Sequence, residues 1–179
     1  MKAVKIVGAV VLGAIALILV LAALKPSHYS ISREIEIQAK PQELFPQINN
    51  PQRMDAWMPW AEQDPQVKNT YSGPAEGVGA VSSWQSPGSM GHGRAEVLAS
   101  VPDQRVSTRV SFEKPMVMEQ LSEITLTPTA KGTIVRWTVS GENSFMGRVF
   151  CVFMNMDNHV GGMFEKGLAK LKTKAETLE

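Results

Sequence analysis

Hydrophobic side chains are concentrated in one run near the N-terminus, residues 6–24, which contains no charged residue. A run of this length is sufficient to cross the hydrocarbon core of a bilayer as a helix. The alternative is a cleavable signal peptide, with Val20-Leu21-Ala22 as a small-residue cleavage site. Because the run is longer than the usual apolar region of a secretory signal, the pattern favours a retained transmembrane anchor over residues 1–25.

The charges that flank this run predict its orientation. Lys2, Lys5 and the free amino terminus precede it, and positive charges tend to remain on the cytoplasmic side of a membrane. We therefore expect a single-pass protein of the plasma (inner) membrane, with the domain formed by residues 26–179 on the extracytoplasmic side. Lys25 weakens this prediction, because it is a positive charge at the opposite end of the run.

After the run, the hydrophobic period changes to two. Apolar and polar residues alternate over residues 29–39, which is typical of a half-buried strand, with Arg33 as a cation on the apolar face. Pro41 then opens a short helix that ends near Ile48. A second short helical or turn segment follows over residues 52–61.

Alternation continues through residues 67–141, where turn sequences separate the apolar segments. The residues predicted to share the apolar faces are Val78, Ala80, Ser82 and Trp84; Ala95, Val97, Ala99 and Val101; Val106, Thr108, Val110 and Phe112; and Val135, Trp137 and Val139. A looser strand covers residues 118–126. Consecutive strands joined by short polar turns predict an antiparallel meander, not a parallel sheet.

Past residue 141 the period becomes helical. Asn143-Ser144 is a good N-cap pair, and no proline follows, so the pattern predicts one long C-terminal helix. Its apolar stripe consists of Phe150, Phe153, Met154, Val160, Gly161, Phe164, Leu168 and Leu171. The sheet is the large partner available to this stripe, and a curved sheet around one helix tends to leave a cavity. The predicted class is therefore α+β.

Composition narrows the range of partners. The net charge is +1, and the Lys and Arg residues are spread along the chain, which argues against a nucleic-acid partner. The single cysteine, Cys151, excludes an internal disulfide, and its apolar neighbours predict a buried, inert thiol. His28, His92 and His159 lack metal-ligand spacing, so no metal or other cofactor is predicted. The sequence leaves the oligomeric state open.

Three motifs carry a resemblance to a known family: WMPWAEQDP at residues 57–65, TYSGPAEGVGA at 70–80, and FMNMD with GLAKLK between 153 and 172. In this order they resemble the START-like SRPBCC superfamily, and within it the polyketide cyclase/dehydrase and lipid-transport branch of small bacterial proteins, including membrane-bound members. The resemblance implies a helix-grip fold, in which the sheet grips the C-terminal helix around a deep apolar pocket for lipids, sterols, polyketides or quinones. It supplies no catalytic motif.

One carboxylate falls within the apolar stripe of the predicted helix. Asp157 needs a partner there, because burying an unpaired carboxylate is costly, and Trp57, Trp60 and Arg33 are candidates. The favoured interpretation is that Asp157 ties the helix to the segment 57–60. The alternative is a polar handle or general acid/base in the pocket, since a buried carboxylate with a raised pKa suits proton transfer.

Two glycines follow in the same helix. Gly161 and Gly162 each cost about 1 kcal/mol relative to alanine in a helix interior. Close approach of the helix to the sheet would offset that cost, and a flexible point that admits a ligand is the alternative.

Aromatic and methionine side chains are the candidates for the pocket lining, because such side chains adapt to apolar ligands. With Asp157, the predicted ligand-binding residues are Trp57, Trp60, Trp84, Phe112, Met116, Met118, Trp137, Phe150, Phe153, Met154 and Phe164. Met116 and Met118 are expected at the pocket rim. His92, in a glycine-rich turn, is predicted to lie at a solvated hairpin tip; it and Asp157 are the weak candidates for catalysis.

Three functions are consistent with these sequence features. The favoured one is a membrane-anchored carrier of an apolar small molecule or lipid. The second is a cyclase- or hydratase-type enzyme that uses Asp157 or His92 as acid/base. The third is a partner-binding structural protein whose core is filled.

Overall fold

The computed structural model describes residues 2–88, 90–114 and 117–177. Its helices and strands are α1 (Lys2–Leu24), β1 (His28–Ile37), α2 (Pro41–Asn49), α3 (Pro51–Asp55), α4 (Trp60–Gln63), β2 (Lys68–Ser72), β3 (Val81–Gln85), β4 (His92–Val101), β5 (Arg105–Lys114), β6 (Met118–Thr129), β7 (Gly132–Glu142), α5 (Phe145–Phe153) and α6 (Met156–Glu176).

All seven strands form one antiparallel sheet in the order β1-β7-β6-β5-β4-β3-β2. Strands β3 to β7 follow one another as hairpins, as the alternating pattern predicts. Strand β2 is an additional strand that pairs with β3, Val78 and Ala80 precede β3 instead of belonging to it, and β1 pairs with β7 from the opposite end of the domain sequence. With α6 against this sheet, the predicted α+β helix-grip architecture is confirmed.

The prediction of a single C-terminal helix is wrong, because the chain breaks between α5 and α6. Met154 and Asn155 have extended backbone conformations, and the Asn155 side chain accepts a hydrogen bond from the Asn158 amide at 3.2 Å. Asn155 is therefore the N-cap of a new helix, which satisfies an amide that a helix start leaves unpaired. The predicted cap at Ser144 is confirmed: its hydroxyl accepts from the Gly147 amide at 3.1 Å.

The packed core fills one half of the sheet. The C-terminal half of α6 and the helix α2 cover the end at which β1 finishes, and they bury Leu44, Ile48, Leu168 and Leu171 almost completely. Trp57 lies in the same core, where its indole nitrogen donates to the Gln47 carbonyl at 3.0 Å. This packing leaves the other half of the concave face free to line an open space.

The helix α1 stands apart from this core. Lys5–Leu24 has a mean hydropathy of 3.0 and is only 6% buried, so it is long and apolar enough to cross a membrane and is not the core helix of the domain. A signal sequence near the N-terminus can meet the same two criteria. The contact that α1 makes with the rest of the protein is mainly with α5.

Candidate functional site

A cavity of about 1220 Å³ lies between the concave face of the sheet and the first turns of α6. Side chains of a strand alternate between its two faces, and on strands β3 to β7 the residues of the wall are alternate ones. The strand residues of the wall are His28, Tyr29, Ser30 and Ile31, Asn69, Ser82 and Trp84, Ala95 and Val97, Thr108, Val110 and Phe112, Met118, Gln120 and Ser122, and Trp137 and Val139.

The cavity lies at the end of the sheet nearest to α1. Strand pairing places the start of β1 beside the end of β7, since His28 pairs with Glu142, and the end of β5 beside the start of β6, since Phe112 pairs with Met118. Lys25, immediately after α1, lines the same cavity. The cavity is therefore adjacent to the end of the apolar helix.

The structure places most of the predicted ligand-binding residues on this wall. The predicted residues that line the cavity are Trp60, Trp84, Phe112, Met118, Trp137, Phe153, Met154, Asp157 and Phe164. Trp57 does not line it, because its ring packs behind Trp137 in the core, with the ring centroids 5.7 Å apart. Phe150 is 57% exposed on the outside of α5. Met116 lies outside the described residues. A role of these side chains in ligand binding stays a prediction.

Asp157 is not buried, and it does not bind the segment 57–60. The helix break places it in the first turn of α6, where a carboxylate is favoured by the helix dipole. Both of its oxygens accept hydrogen bonds from the guanidinium of Arg33, at 2.9 and 3.1 Å, and the same guanidinium donates to Glu165 at 2.8 Å. The hydrogen bonds from Arg33 lower the pKa of Asp157, so Asp157 stays ionised and is a poor general acid.

The first of the two glycines makes room for that guanidinium. A Cβ atom at Gly161 would overlap the head group of Arg33, whereas a Cβ atom at Gly162 would meet no atom within 4 Å. Gly161 is thus explained by the close approach of α6 to the guanidinium of Arg33 on strand β1. This contact also accounts for the cation on the apolar face of β1. Gly162 has no such packing reason.

This difference predicts opposite effects for two adjacent substitutions. G162A is expected to stabilise the protein by about 0.5–1 kcal/mol, because alanine is the better helix former and nothing opposes its methyl group. G161A gains the same propensity but displaces the guanidinium from Asp157 and Glu165, so it should unfold at a lower denaturant concentration than wild type. Urea titrations of the three proteins measure both shifts, and equal stabilisation by the two alanines would contradict the contact.

Two other sequence predictions are corrected by the structure. Cys151 was expected to be buried, but it is partly exposed and lines the cavity, 3.9 Å from the amide nitrogen of Asn143. His92 is not at a hairpin tip: it is the half-buried first residue of β4, and among the described residues it is not part of the cavity wall. His159 is exposed and lies at the edge of the cavity.

A second carboxylate on the cavity wall belongs to Asp55, at the end of α3. It accepts hydrogen bonds from the hydroxyl of Tyr71 at 2.7 Å and from the side-chain amide of Asn69 at 2.8 Å. Burial raises the pKa of Asp55 despite these donors, and burial together with the nearby carboxylate raises the pKa of Tyr71 to about 12. No local pattern predicts this cluster, because α3 and β2 are brought together only by tertiary folding.

A second polar pair lies at the α1 end of the wall. The hydroxyl of Tyr29 donates to the side-chain carbonyl of Gln120 at 2.9 Å, and burial raises the pKa of Tyr29. The indole of Trp137 donates to Ser122 at 2.9 Å, so its polar atom is also satisfied. An apolar wall with a few polar groups suits an apolar molecule that carries a polar end. Within the described residues, no cluster of three His, Cys, Asp or Glu side chains is placed to hold a metal ion.

The raised pKa of Asp55 predicts a specific pH dependence of stability. The folded protein holds the Asp55 proton more tightly than the unfolded chain, so this stabilisation is present below the usual pKa of 3.8 and is lost as pH rises through the folded-state pKa. The free energy of unfolding of wild type relative to D55N should therefore fall over this interval and then become constant. Urea unfolding of both proteins from about pH 3 to about pH 8 measures the difference.

Other carboxylates contribute to the pH dependence of stability with the opposite sign, and the comparison of wild type with D55N removes their contribution. Asp64, Asp157 and Glu176 have lowered pKa values, and each loses its stabilisation as pH falls. Both proteins contain these groups, so they do not affect the difference. A wild-type to D55N difference that is independent of pH would show that Asp55 is not desolvated.

A curved antiparallel sheet closed by a C-terminal helix around an apolar space defines a helix-grip protein. The sequence matches the family described as "Polyketide cyclase / dehydrase and lipid transport" over residues 28–176, and the protein belongs to that family, within the SRPBCC superfamily. The resemblance drawn from the three sequence motifs is thereby confirmed. No relative with a curated description matches the sequence.

Solved structures share the fold at low sequence identity. A protein of Chromobacterium violaceum has a TM-score of 0.60 and 15% identity, covering 82% of this chain and 96% of its own. The Aha1 dimer from Colwellia psychrerythraea has a TM-score of 0.56 and 20% identity, covering 80% and 93%. The di-domain ARO/CYC StfQ from the steffimycin biosynthetic pathway has a TM-score of 0.59 and 9% identity, covering 84% of this chain and 51% of its own. These likenesses show a common fold and nothing more.

Proposed function

We propose that the protein is a membrane-anchored carrier that holds an apolar molecule, of the lipid, quinone or polyketide-like kind, in its cavity. The observation that carries this proposal is the cavity itself. At about 1220 Å³ it exceeds the roughly 300–1,000 Å³ of typical small-molecule sites, and its wall is mostly aromatic and aliphatic. A protein whose function required a filled core would not leave this space.

The position of the cavity supports the anchored arrangement. In this proposal α1 is retained as a single membrane span, with Lys2 and Lys5 on the cytoplasmic side and the domain on the extracytoplasmic side. Lys25 and Pro26, which follow the span directly, line the cavity. A tethered domain searches a small volume, so its effective concentration toward a membrane-dissolved ligand is high.

Native mass spectrometry of the full chain, before and after organic extraction, tests the carrier proposal. We expect a reproducible additional mass that extraction removes and that identifies the ligand class. Clean unliganded protein that also fails to take up a fluorescent phospholipid would overturn the proposal.

A second candidate function, a cyclase- or hydratase-type enzyme, is favoured by one observation. Asp55 faces the cavity with a raised pKa and is held by Tyr71 and Asn69, which are the features of a general acid/base. In this case the extracted molecule would be chemically converted by wild type, whereas D55N would bind it without conversion. If wild type and D55N both bound the molecule and neither changed its mass, the enzyme would be excluded in favour of the carrier.

A further inference from the structure

The helix α5 carries a stripe of large apolar side chains that the protein does not cover. Met146, Phe150 and Phe153 are spaced by four and three residues, so they lie on one face of the helix, and they are 57%, 57% and 71% exposed. Phe145 and Met154 extend the same surface. An isolated exposed apolar residue needs no explanation, but a contiguous group of them marks an interaction surface.

The neighbour of α5 indicates what covers this surface. Helix α5 packs against α1, and the guanidinium of Arg148 donates to the carbonyls of Ala23 and Lys25 at 3.4 Å each. Ala23 is in the last turn of α1 and Lys25 follows the helix, so Arg148 meets the helix end at which carbonyls lack partners within the helix and a cation is favoured. Because α1 is the candidate membrane span, α5 is held at the depth at which that span leaves the bilayer.

The same segment also borders the cavity. Val152 and Phe153 at the end of α5, Met154 and Asn155 of the link, and Met156 at the start of α6 line it together with Cys151, so the exposed stripe meets the cavity at Phe153. Val117, 86% exposed, precedes β6 at this end of the sheet. The segment 145–156 is therefore the wall between the cavity and the surface beside α1.

We propose that α5 is an interfacial helix that lies in the lipid headgroup region, with Met146, Phe150 and Phe153 inserted among the acyl chains, and that the cavity opens beside it toward the bilayer. This inference rests on the proposed retention of α1 as a membrane span. An amphipathic helix binds a membrane surface through such an apolar face. A ligand would then pass between lipid and cavity along the α5–α6 link without crossing water.

Depth measurements on the full chain in phosphatidylcholine vesicles test the proposal. Cys151 is replaced by serine, and a nitroxide label is attached to M146C or F150C, with A130C as the control, since Ala130 lies in the exposed turn between β6 and β7 at the far end of the sheet. Collision with oxygen, which concentrates in lipid, is compared with collision with a water-soluble nickel chelate. We expect the labels on α5 to collide with nickel several-fold less often than the control, and with oxygen more often.

Flotation of the vesicles separates the two proposals. A chain that floats with the vesicles and resists alkaline extraction while its α5 labels collide with nickel as often as the control would leave the anchor standing and overturn the docking of α5. Labels shielded from both nickel and oxygen would show a protein contact, such as a second copy of the chain, and would also overturn it. A chain that does not float would overturn both proposals.

Discussion

Replacement of Val110 by tryptophan is expected to abolish ligand uptake while the fold is retained. Val110 lies on the inward face of β5 between Thr108 and Phe112, and all three side chains line the cavity. The larger indole group has space to enter the cavity, so it displaces ligand instead of forcing the core apart, which is the usual cost of overpacking. We expect affinity for a fluorescent phospholipid to fall at least about tenfold, equivalent to about 1.4 kcal/mol.

A matched control is available one residue further along the strand. Ser111 points to the outer face, where its hydroxyl donates to Glu119 at 3.4 Å, so S111W adds the same side chain outside the cavity. S111W should bind like wild type and V110W should not. Equal uptake by the two variants would mean that the probe binds elsewhere, for example around α1, and would remove the cavity from the proposed function.

Local patterns predicted the strands because their determinants are local. Alternation along residues 29–39 and through the meander is fixed by the two-residue period of a strand with one buried face. The pairing of β1 with β7 and the packing of Asp55 against Tyr71 and Asn69 are not encoded in any such period. The cavity could therefore be predicted in outline, while the carboxylate whose pKa is raised by burial could not.

The error at the C-terminal helix has a specific cause. Apolar residues continue at helical spacing through 150–164, so a helical wheel does not show the break at Met154 and Asn155. Asn155 looked like an ordinary polar-face residue, although asparagine is also among the best N-caps. Once α6 starts at Met156, Asp157 moves from the buried stripe to a first-turn position beside Arg33. The exposed residues Phe150 and Phe153 likewise leave the core and become part of the surface beside α1.

Phe164→Ala is expected to cause a large loss of stability. Phe164 is 2% exposed, and its ring stacks on that of Trp137 with the centroids 4.0 Å apart. Trp137 in turn makes edge contacts with Trp57 and Trp60, so Phe164 supports an aromatic cluster in which Trp60, Trp137 and Phe164 itself line the cavity. Removal of a buried phenyl ring costs about 3–5 kcal/mol, and urea unfolding followed by tryptophan fluorescence measures this loss.

The corresponding change in α5 provides the contrast. Phe153→Ala removes the same group from an exposed position and should change the free energy of unfolding in detergent by less than about 0.5 kcal/mol. Equal losses of stability in the two variants would contradict the role of Phe164 in supporting the aromatic cluster. F164A should weaken both ligand binding and stability, because Phe164 lines the cavity and is also part of the core. V110W should weaken ligand binding alone. Measuring both quantities in both variants therefore separates occupation of the cavity from loss of the structure that forms it.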